Sequence, residues 1–359
     1  MDLYIDSEKK LAELLEGISV EPLLAIDTEF VREKTYYPKL CLIQIATPNL
    51  TACVDCLAEI DLRKFFDELF RQDCAWILHS ARQDMEVIYL QDTRMPNRLI
   101  DTQTAAALLG HAPQIGLQAL LDDEIGVELK KGHARTDWSR RPLPEAAVEY
   151  ALDDVRYLLP LWHSLEERLG KLQREDWLRA DCLAALSIPP VTPPLALWGR
   201  LRGLRSLQSQ QQAAALAMVA WRERQAQARN RPRRWIMSDE VLMRIAKNLP
   251  ADLETLKAIP EMPWRLADHS GKEILAALSE NENSEQDELL EAHLPPEPPD
   301  KKLLRSLQEQ VRVRAEALGI QGEVLATRKE IADLLMGRPS ERIDGGWRHD
   351  ELKPILASA

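Results

Sequence analysis

Two carboxylates, Asp27 and Glu29, stand two residues apart in the segment LLAIDTEF, directly after the apolar run LLAI. Side chains alternate between the two faces of a strand, so both carboxylates are predicted on one face. Unpaired acids at the end of a buried strand would repel each other and lose hydration, and a bound divalent cation would remove both penalties. Taken alone, the pair is more often explained as two ordinary surface acids at a strand end.

Three further residues are suited to the same chemistry. Asp84 follows the run WILHSA, where a strand is predicted to lead into a helix; by itself, an acid there is explained by the helix macrodipole. Tyr150 and Asp154 are four residues apart in a helical pattern, which makes their side chains neighbours. At about 100° per residue, Asp154 lies nearer in angle to Tyr150 than Asp153 does. A partly buried aromatic on a helix surface is the alternative.

Alternating and helical patterns predict the elements that carry these residues. Three closely spaced apolar segments predict a strand meander, and later segments alternate between short strands and helices. The predicted strands are 23–30, 40–46, 51–55, 76–79 and 99–101. The predicted helices are 62–70, 81–90, 102–109 and one long amphipathic helix over 143–169. Asp101 is predicted to cap the helix that follows it rather than to bind metal.

Two proline clusters, at 189–194 and 295–299, predict stiff linkers because proline continues neither a helix nor a central strand. We therefore expect three domains, at 1–188, 200–283 and 300–359. The first mixes strands and helices, whereas the other two show only helical periodicity. The predicted fold class is an α/β mixed-sheet domain followed by two small all-α modules.

In combination, D-x-E on a strand, a later Asp, and Y-x-x-x-D on a helix resemble the DEDD exonuclease superfamily in its tyrosine-containing subclass. Longer runs are similar to the ribonuclease D family over about residues 5–185. Ala147 departs from the pattern, because relatives more often have glutamine there, but it is no metal ligand. The similar runs are 27–30, 36–44, 79–88, 99–103, 136–138, 141–143 and 150–158.

The second segment resembles an HRDC domain, a small helical module that binds nucleic acids. The matching positions run from Leu216, Trp221 and Arg222 to Ile245 and Ala246. Residues 300–359 are similar to the second such module of the family. The ribonuclease D resemblance thus extends to the domain order of the whole chain.

The resemblance implies a ribonuclease-H-like sheet whose acids hold two divalent cations, Mg²⁺ or Mn²⁺, roughly 4 Å apart. By analogy Asp27 bridges the cations, Glu29 and Asp154 complete one site, and Asp84 supports the other. Tyr150 would orient the attacking water, because an unperturbed tyrosine pKa of about 10 disfavours a role as free base. The implied reaction is 3′→5′ hydrolysis of single-stranded RNA ends to nucleoside 5′-monophosphates, with tRNA precursors as substrates in 3′ maturation.

The formal charge of −12 over 359 residues is unevenly distributed. Residues 199–250 hold ten arginines and one lysine against three acids, whereas 279–300 hold eight acids and no lysine or arginine. The densest basic run predicts phosphate contacts plus stacking, with a merely solvated surface as the alternative. Arg141, in the basic loop 128–141, is a further RNA-contact candidate unless the loop packs on the sheet. The predicted contacts of the basic run are Arg231, Arg233, Arg234 and Trp235.

Two other functions remain open. A DNA 3′→5′ exonuclease would use the same residues, and a non-catalytic RNA-binding scaffold should have lost at least one acid, yet all five motif residues are present. Cys53 and Cys56 lack the further ligands that zinc needs. Five cysteines, no signal-like start and no apolar run near about 18 residues predict a cytoplasmic protein without a membrane partner. We also expect a monomer.

Overall fold

Six strands form one mixed sheet in the order β1-β4-β3-β2-β5-β6. The computed structural model describes residues 2–129, 132, 136–279, 299–338, 340 and 342–356. The predicted meander is confirmed: β2, β3 and β4 are antiparallel neighbours, whereas β1–β4, β2–β5 and β5–β6 are parallel pairs. The strands are β1 Asp2–Ile5, β2 Leu23–Val31, β3 Lys39–Ala46, β4 Thr51–Asp55, β5 Ala75–Leu78 and β6 Arg98–Asp101.

Strands β3 and β5 form because nearly all of their residues are apolar on both faces. β5 is buried along its whole length, and in β3 only Lys39 is exposed, as expected for strands covered by helices on both sides. The helices of this part of the chain are α1 Glu8–Ile18, α2 Arg63–Leu69, α3 Arg82–Asp92, α4 Thr102–Leu108, α5 Leu117–Ile125, α6 Glu145–Arg156, α7 Leu158–Lys171 and α8 Glu175–Ser187.

The prediction of one continuous helix over 143–169 is wrong. The chain forms α6 and α7, separated at Tyr157 with φ −104° and ψ 0°. Pro160 has no N–H to donate to the Arg156 carbonyl four residues earlier, and its ring crowds that carbonyl, so a continuous helix is disfavoured. The apolar stripe continues across the break, which is why periodicity alone joins the two helices.

The chain divides into two compact units. One contains the described residues within Met1–Val31, Lys39–Pro190 and Pro298–Ala359, and the other those within Arg32–Pro38 and Val191–Glu297. The first unit therefore includes the helices after the acidic stretch. They are α15 Lys301–Ala317, α16 Gly322–Leu325, α17 Arg328–Leu335 and α18 Gly346–Leu356.

These last helices share one hydrophobic core with the sheet domain. Leu304 and Leu307 belong to the same buried cluster as Trp76 of β5. Trp347 stacks on Trp177 of α8 with ring centroids 4.1 Å apart. Next to that stack, Arg348 donates to both carboxylate oxygens of Asp181, with Nη2 2.7 Å from Oδ2.

The second unit is helical around a core that includes Trp198, Leu242 and Ile274. Ser238 caps α12 and Asp252 caps α13, each accepting a backbone N–H of the first turn. The unit's helices are α9 Pro194–Trp198, α10 Ser209–Ala228, α11 Arg233–Ile236, α12 Asp239–Asn248, α13 Leu253–Lys257 and α14 Trp264–Ser279. In the described ranges, no helix combines the length and the apolar character needed to cross a membrane.

The segment Arg32–Pro38, which connects β2 to β3, belongs to this helical unit. Asn230 accepts the backbone N–H groups of Tyr36 and Tyr37 at 3.0 and 3.1 Å. The Tyr36 hydroxyl donates to Glu223 at 2.8 Å. The run 36–44, one of the runs similar to the ribonuclease D family, thus lies partly in the helical unit and partly in β3 of the sheet domain.

Candidate active site

Strand β2 positions Asp27 and Glu29. Antiparallel pairing with β3 places Asp27 opposite Gln44 and Glu29 opposite Leu42, and the register shifts immediately after Glu29. The extra residue at this shift is Cys41 of β3, and such an irregularity bends the strand that carries it and re-aims neighbouring side chains. The predicted D-x-E pair therefore lies on one face, close to where regular pairing is interrupted.

Helix α6 brings Tyr150 and Asp154 over the same part of the sheet. It contacts β2, β3 and β4, and its buried residues Ala147 and Ala151 pack in one cluster with Leu42 of β3. Ala147 thus serves as a packing residue. Asp153, the neighbouring acid, pairs instead with Arg156.

Three carboxylates converge at this place. Single oxygens of Asp27, Glu29 and Asp154 all lie within 4.8 Å of one another. Asp84, in the first turn of α3, is not part of that trio but is buried beside β2, where the Thr28 hydroxyl donates to its Oδ1 at 2.5 Å. Hard oxygen donors at this spacing fit Mg²⁺ or Mn²⁺.

The electrostatics of the four acids support the same conclusion. Burial, followed by the charges of Asp84, Asp154 and Glu29, raises the pKa of Asp27 well above its ordinary value. Burial raises the pKa of Glu29 to about 8, that of Asp154 to about 7 and that of Asp84 to about 6. Without a cation, gathering these carboxylates in ionised form is unfavourable, and a bound divalent ion supplies the opposite charge.

Tyr150 is placed to donate a hydrogen bond in this site. Burial, followed by the charges of Asp154 and Glu29, raises the pKa of its hydroxyl, which is hydrogen-bonded with Asp154. Trp138 is buried beside it, with ring centroids 6.4 Å apart. A phenol with a raised pKa stays protonated at neutral pH, which favours orienting a water over removing its proton.

Asp101 forms the predicted helix cap, accepting the N–H groups of Gln103 and Thr104 in α4. Asp101 also has a second structural role, which the sequence pattern does not indicate. Its two oxygens accept the backbone N–H groups of Ser80 and Ala81 at 3.1 and 3.0 Å. Asp101 thereby fixes the turn that leads into α3 and carries Asp84, so it is a positioning residue.

The five predicted RNA-contact residues have different surroundings. Arg141 forms a bidentate ion pair with the buried carboxylate of Asp55. Its Nε lies 2.6 Å from Oδ2 and its Nη2 lies 2.5 Å from Oδ1. Arg233 pairs with Glu223, and its guanidinium lies 4.9 Å from the centre of the Tyr36 ring. These two guanidinium groups are thus engaged within the fold.

The remaining three, Arg231, Arg234 and Trp235, are exposed, and the Arg231 guanidinium lies 5.9 Å from the Trp235 ring. Sequence reasoning missed a second exposed pair, Trp264 with Arg265. In the sequence, this pair is indicated only by a tryptophan that stands next to an arginine. Residues 130, 131 and 133–135 of the basic loop and 280–298 of the acidic stretch lie outside the described residues.

Comparisons with known proteins agree with this geometry. The 3′-5′ exonuclease family profile matches residues 3–170, and the HRDC domain profile matches residues 211–278. Ribonuclease D of Granulibacter bethesdensis is 33% identical over 359 residues, covering 96% of this chain and 89% of the relative. Ribonuclease D of Acidiphilium cryptum is 34% identical over 354 residues, covering 96% and 90%.

The crystal structure of Escherichia coli RNase D is similar over 99% of this chain and 97% of that chain, with a TM-score of 0.85 and 28% identity. The fold and its acidic site define a 3′-5′ exonuclease joined to helical modules, as the predicted fold class states. The chain belongs to the ribonuclease D family of 3′→5′ exoribonucleases.

Proposed function

We propose that this chain removes nucleotides from single-stranded 3′ ends of RNA, releasing nucleoside 5′-monophosphates with the help of two divalent cations, Mg²⁺ or Mn²⁺. The observation that carries the proposal is the convergence of Asp27, Glu29 and Asp154 within 4.8 Å. Acids from a strand and from a helix, far apart in sequence, meet there. Ionised carboxylates gathered in this way repel each other, and a bound metal ion offsets that repulsion.

Each residue of the site has a distinct task in this proposal. Asp27, Glu29 and Asp154 hold the cations, and Asp84, oriented by the Thr28 hydroxyl, supports the second position. When bound, the cations lower the pKa of the attacking water and stabilise the leaving 3′-oxygen. Tyr150, protonated at neutral pH, orients that water by a hydrogen bond.

The substrate we propose is a tRNA precursor or another small structured RNA with a 3′ tail. The Escherichia coli RNase D that this chain resembles is described as an exoribonuclease involved in structured RNA processing. In the helical unit, Arg231, Arg234 and Trp235 offer charge and a stacking surface for a single strand. We also propose that the protein is a cytoplasmic monomer with an HRDC domain over 200–283 and a second HRDC-like domain over 300–359.

The proposal is tested by digesting a 3′-tailed, tRNA-like RNA with the full-length protein, with Mg²⁺ or with EDTA. We expect mononucleotides released from the 3′ end, no release in EDTA, and at least about a 100-fold loss of rate in Asp154→Asn, since a metal ligand stabilises the transition state by several kcal/mol. Asp153→Asn is the matched control on the same helix, because Asp153 pairs with Arg156.

The same digestion separates the alternatives when a DNA of identical sequence is included. Faster digestion of the DNA than of the RNA would favour a DNA 3′→5′ exonuclease, because an RNA enzyme distinguishes the 2′-hydroxyl. RNA binding without any metal-stimulated release would favour a scaffold. Asp154→Asn within tenfold of wild type would refute the assigned metal ligands.

A further inference from the structure

Gln44 lies in the middle of β3 and has no exposed surface. Both of its amide atoms, Nε2 and Oε1, are buried and have no hydrogen-bond partner among the described residues. No other side-chain amide in those ranges is left in this condition. Buried amides are almost always hydrogen-bonded, because the hydration they lose on burial must be replaced. Gln44 therefore requires a partner that the local packing does not supply.

The sheet register places this amide beside the acidic site. Gln44 is directly opposite Asp27 on β2 and Cys53 on β4. Residues directly opposite each other in a sheet point to the same face, with Cβ atoms about 4.5–5.5 Å apart. Leu42, two residues away on that face, packs with Ala147 and Ala151 of α6. The Gln44 amide is thus on the covered face that carries Asp27.

The other acids of the site already show the kind of partner that Gln44 offers. The Thr28 hydroxyl donates to Asp84, and the Tyr150 hydroxyl is hydrogen-bonded with Asp154. Carboxylates that ligate metals are normally held by such additional hydrogen bonds, and removing the partner commonly weakens metal binding by about 10- to 100-fold. A side-chain amide opposite Asp27 gives that carboxylate the same kind of hydrogen-bond donor.

We propose that Gln44 is a positioning residue of the metal site, whose Nε2 donates to the Asp27 carboxylate when that carboxylate holds its cation. The inference rests on the proposed metal-dependent function. It assigns Gln44 no contact with the reacting atoms. It also explains why a polar side chain stands in a strand whose other buried residues are apolar.

The test compares Gln44→Met with Gln212→Met in the full-length protein. Methionine keeps the unbranched length and removes the amide in both variants. Gln212 is a buried glutamine whose Nε2 donates to the carbonyls of Leu204 and Leu207 at 3.1 and 3.0 Å. Mn²⁺ affinity is measured by calorimetry or by the signal of free Mn²⁺ in electron paramagnetic resonance, and Tm is measured in EDTA.

We expect Gln44→Met to bind Mn²⁺ about tenfold more weakly while its Tm in EDTA stays equal to wild type or rises, because an unpartnered amide has been removed. Gln212→Met should do the opposite, with a lower Tm and unchanged Mn²⁺ affinity. Unchanged Mn²⁺ affinity in Gln44→Met overturns the proposal. A Tm loss as large as in Gln212→Met also overturns it, because the amide would then have a structural partner such as a buried water.

A second variant, Gln44→Asn, keeps an amide but shortens the side chain by one methylene. It should weaken Mn²⁺ binding as well, and wild-type affinity there overturns the proposal even if Gln44→Met does not fold. Asp154→Asn distinguishes a failure of the proposed metal site from a failure of the Gln44 inference. If wild type binds no Mn²⁺, or Asp154→Asn binds as wild type, the proposed metal site fails. If only the Gln44 variants match wild type, the Gln44 inference fails alone.

Discussion

Replacing Thr28 with valine tests whether the position of Asp84 matters for catalysis. Thr28 lies between Asp27 and Glu29 in β2, and its hydroxyl donates to Asp84 Oδ1 at 2.5 Å. Valine keeps the β-branched shape that suits a strand and removes only the donor. The exposed fractions of Thr28 and Asp84 are 6% and 7%, so bulk water cannot easily replace the lost bond.

The size of the effect follows from that geometry. A hydrogen bond to a charged group contributes about 1.5–3 kcal/mol. If Asp84 needs this bond to hold its place in the transition state, the same free energy is lost there. At 1.36 kcal/mol for each factor of ten, kcat should fall about 10- to 150-fold. KM should change little, because the bond touches no RNA-binding residue.

The assay is steady-state digestion of a single-stranded RNA labelled at its 5′ end, with saturating Mg²⁺. Thr51→Val is the matched control, since Thr51 is a buried threonine, 7% exposed, in β4 of the same sheet. Both variants should remain folded by circular dichroism. The reasoning is refuted if kcat of Thr28→Val stays within about twofold of Thr51→Val, or if the loss lies entirely in KM.

Two further predictions concern the helices outside the acidic site. Asp181→Ala should lower the free energy of unfolding by about 3–5 kcal/mol, because the buried Arg348 would lose its only described carboxylate partner and keep just the hydrogen bond to the Val324 carbonyl. At about 2–4 °C per kcal/mol, Tm should drop by about 6–20 °C in calorimetry, whereas Asp176→Ala, an exposed acid on α8, should leave it nearly unchanged. Trp235→Ala and Trp264→Ala should each weaken RNA binding about 5- to 150-fold by loss of base stacking, with kcat unchanged, and wild-type affinity in filter binding would contradict this. Leu183→Ala, which removes an exposed side chain from α8, is the matched control.

The two residue pairs of the acidic site could be predicted because the geometry within each pair is local. Two residues apart on a strand share a face, and four apart on a helix are neighbours, so Asp27 with Glu29 and Tyr150 with Asp154 follow from spacing. Their meeting depends on the sheet register and on α6 crossing β2, which periodicity does not give. The resemblance to a known family supplied that step, and the 4.8 Å trio confirms the convergence of three acids.

Other features depend on partners that are distant in sequence. Counting arginines shows a basic stretch but does not show that Arg233 pairs with Glu223 or Arg141 with Asp55. The unpartnered amide of Gln44 is invisible in sequence, because its significance comes from what surrounds it. Composition therefore indicates where positive charge is concentrated, but not which individual cations are available for phosphate.

The placement of α15 to α18 determines how binding and catalysis can be separated. An amphipathic pattern shows that these helices have an apolar face, but not which core that face joins. Because Leu304, Leu307 and Val311 are buried in the core of the sheet domain, a chain ended after residue 190 would expose that core. A loss of activity in such a truncation would then reflect damage to the nuclease fold as much as loss of RNA contacts. Substitutions at exposed Trp235 and Trp264 leave both cores intact, so a change in RNA affinity at constant kcat can be assigned to binding.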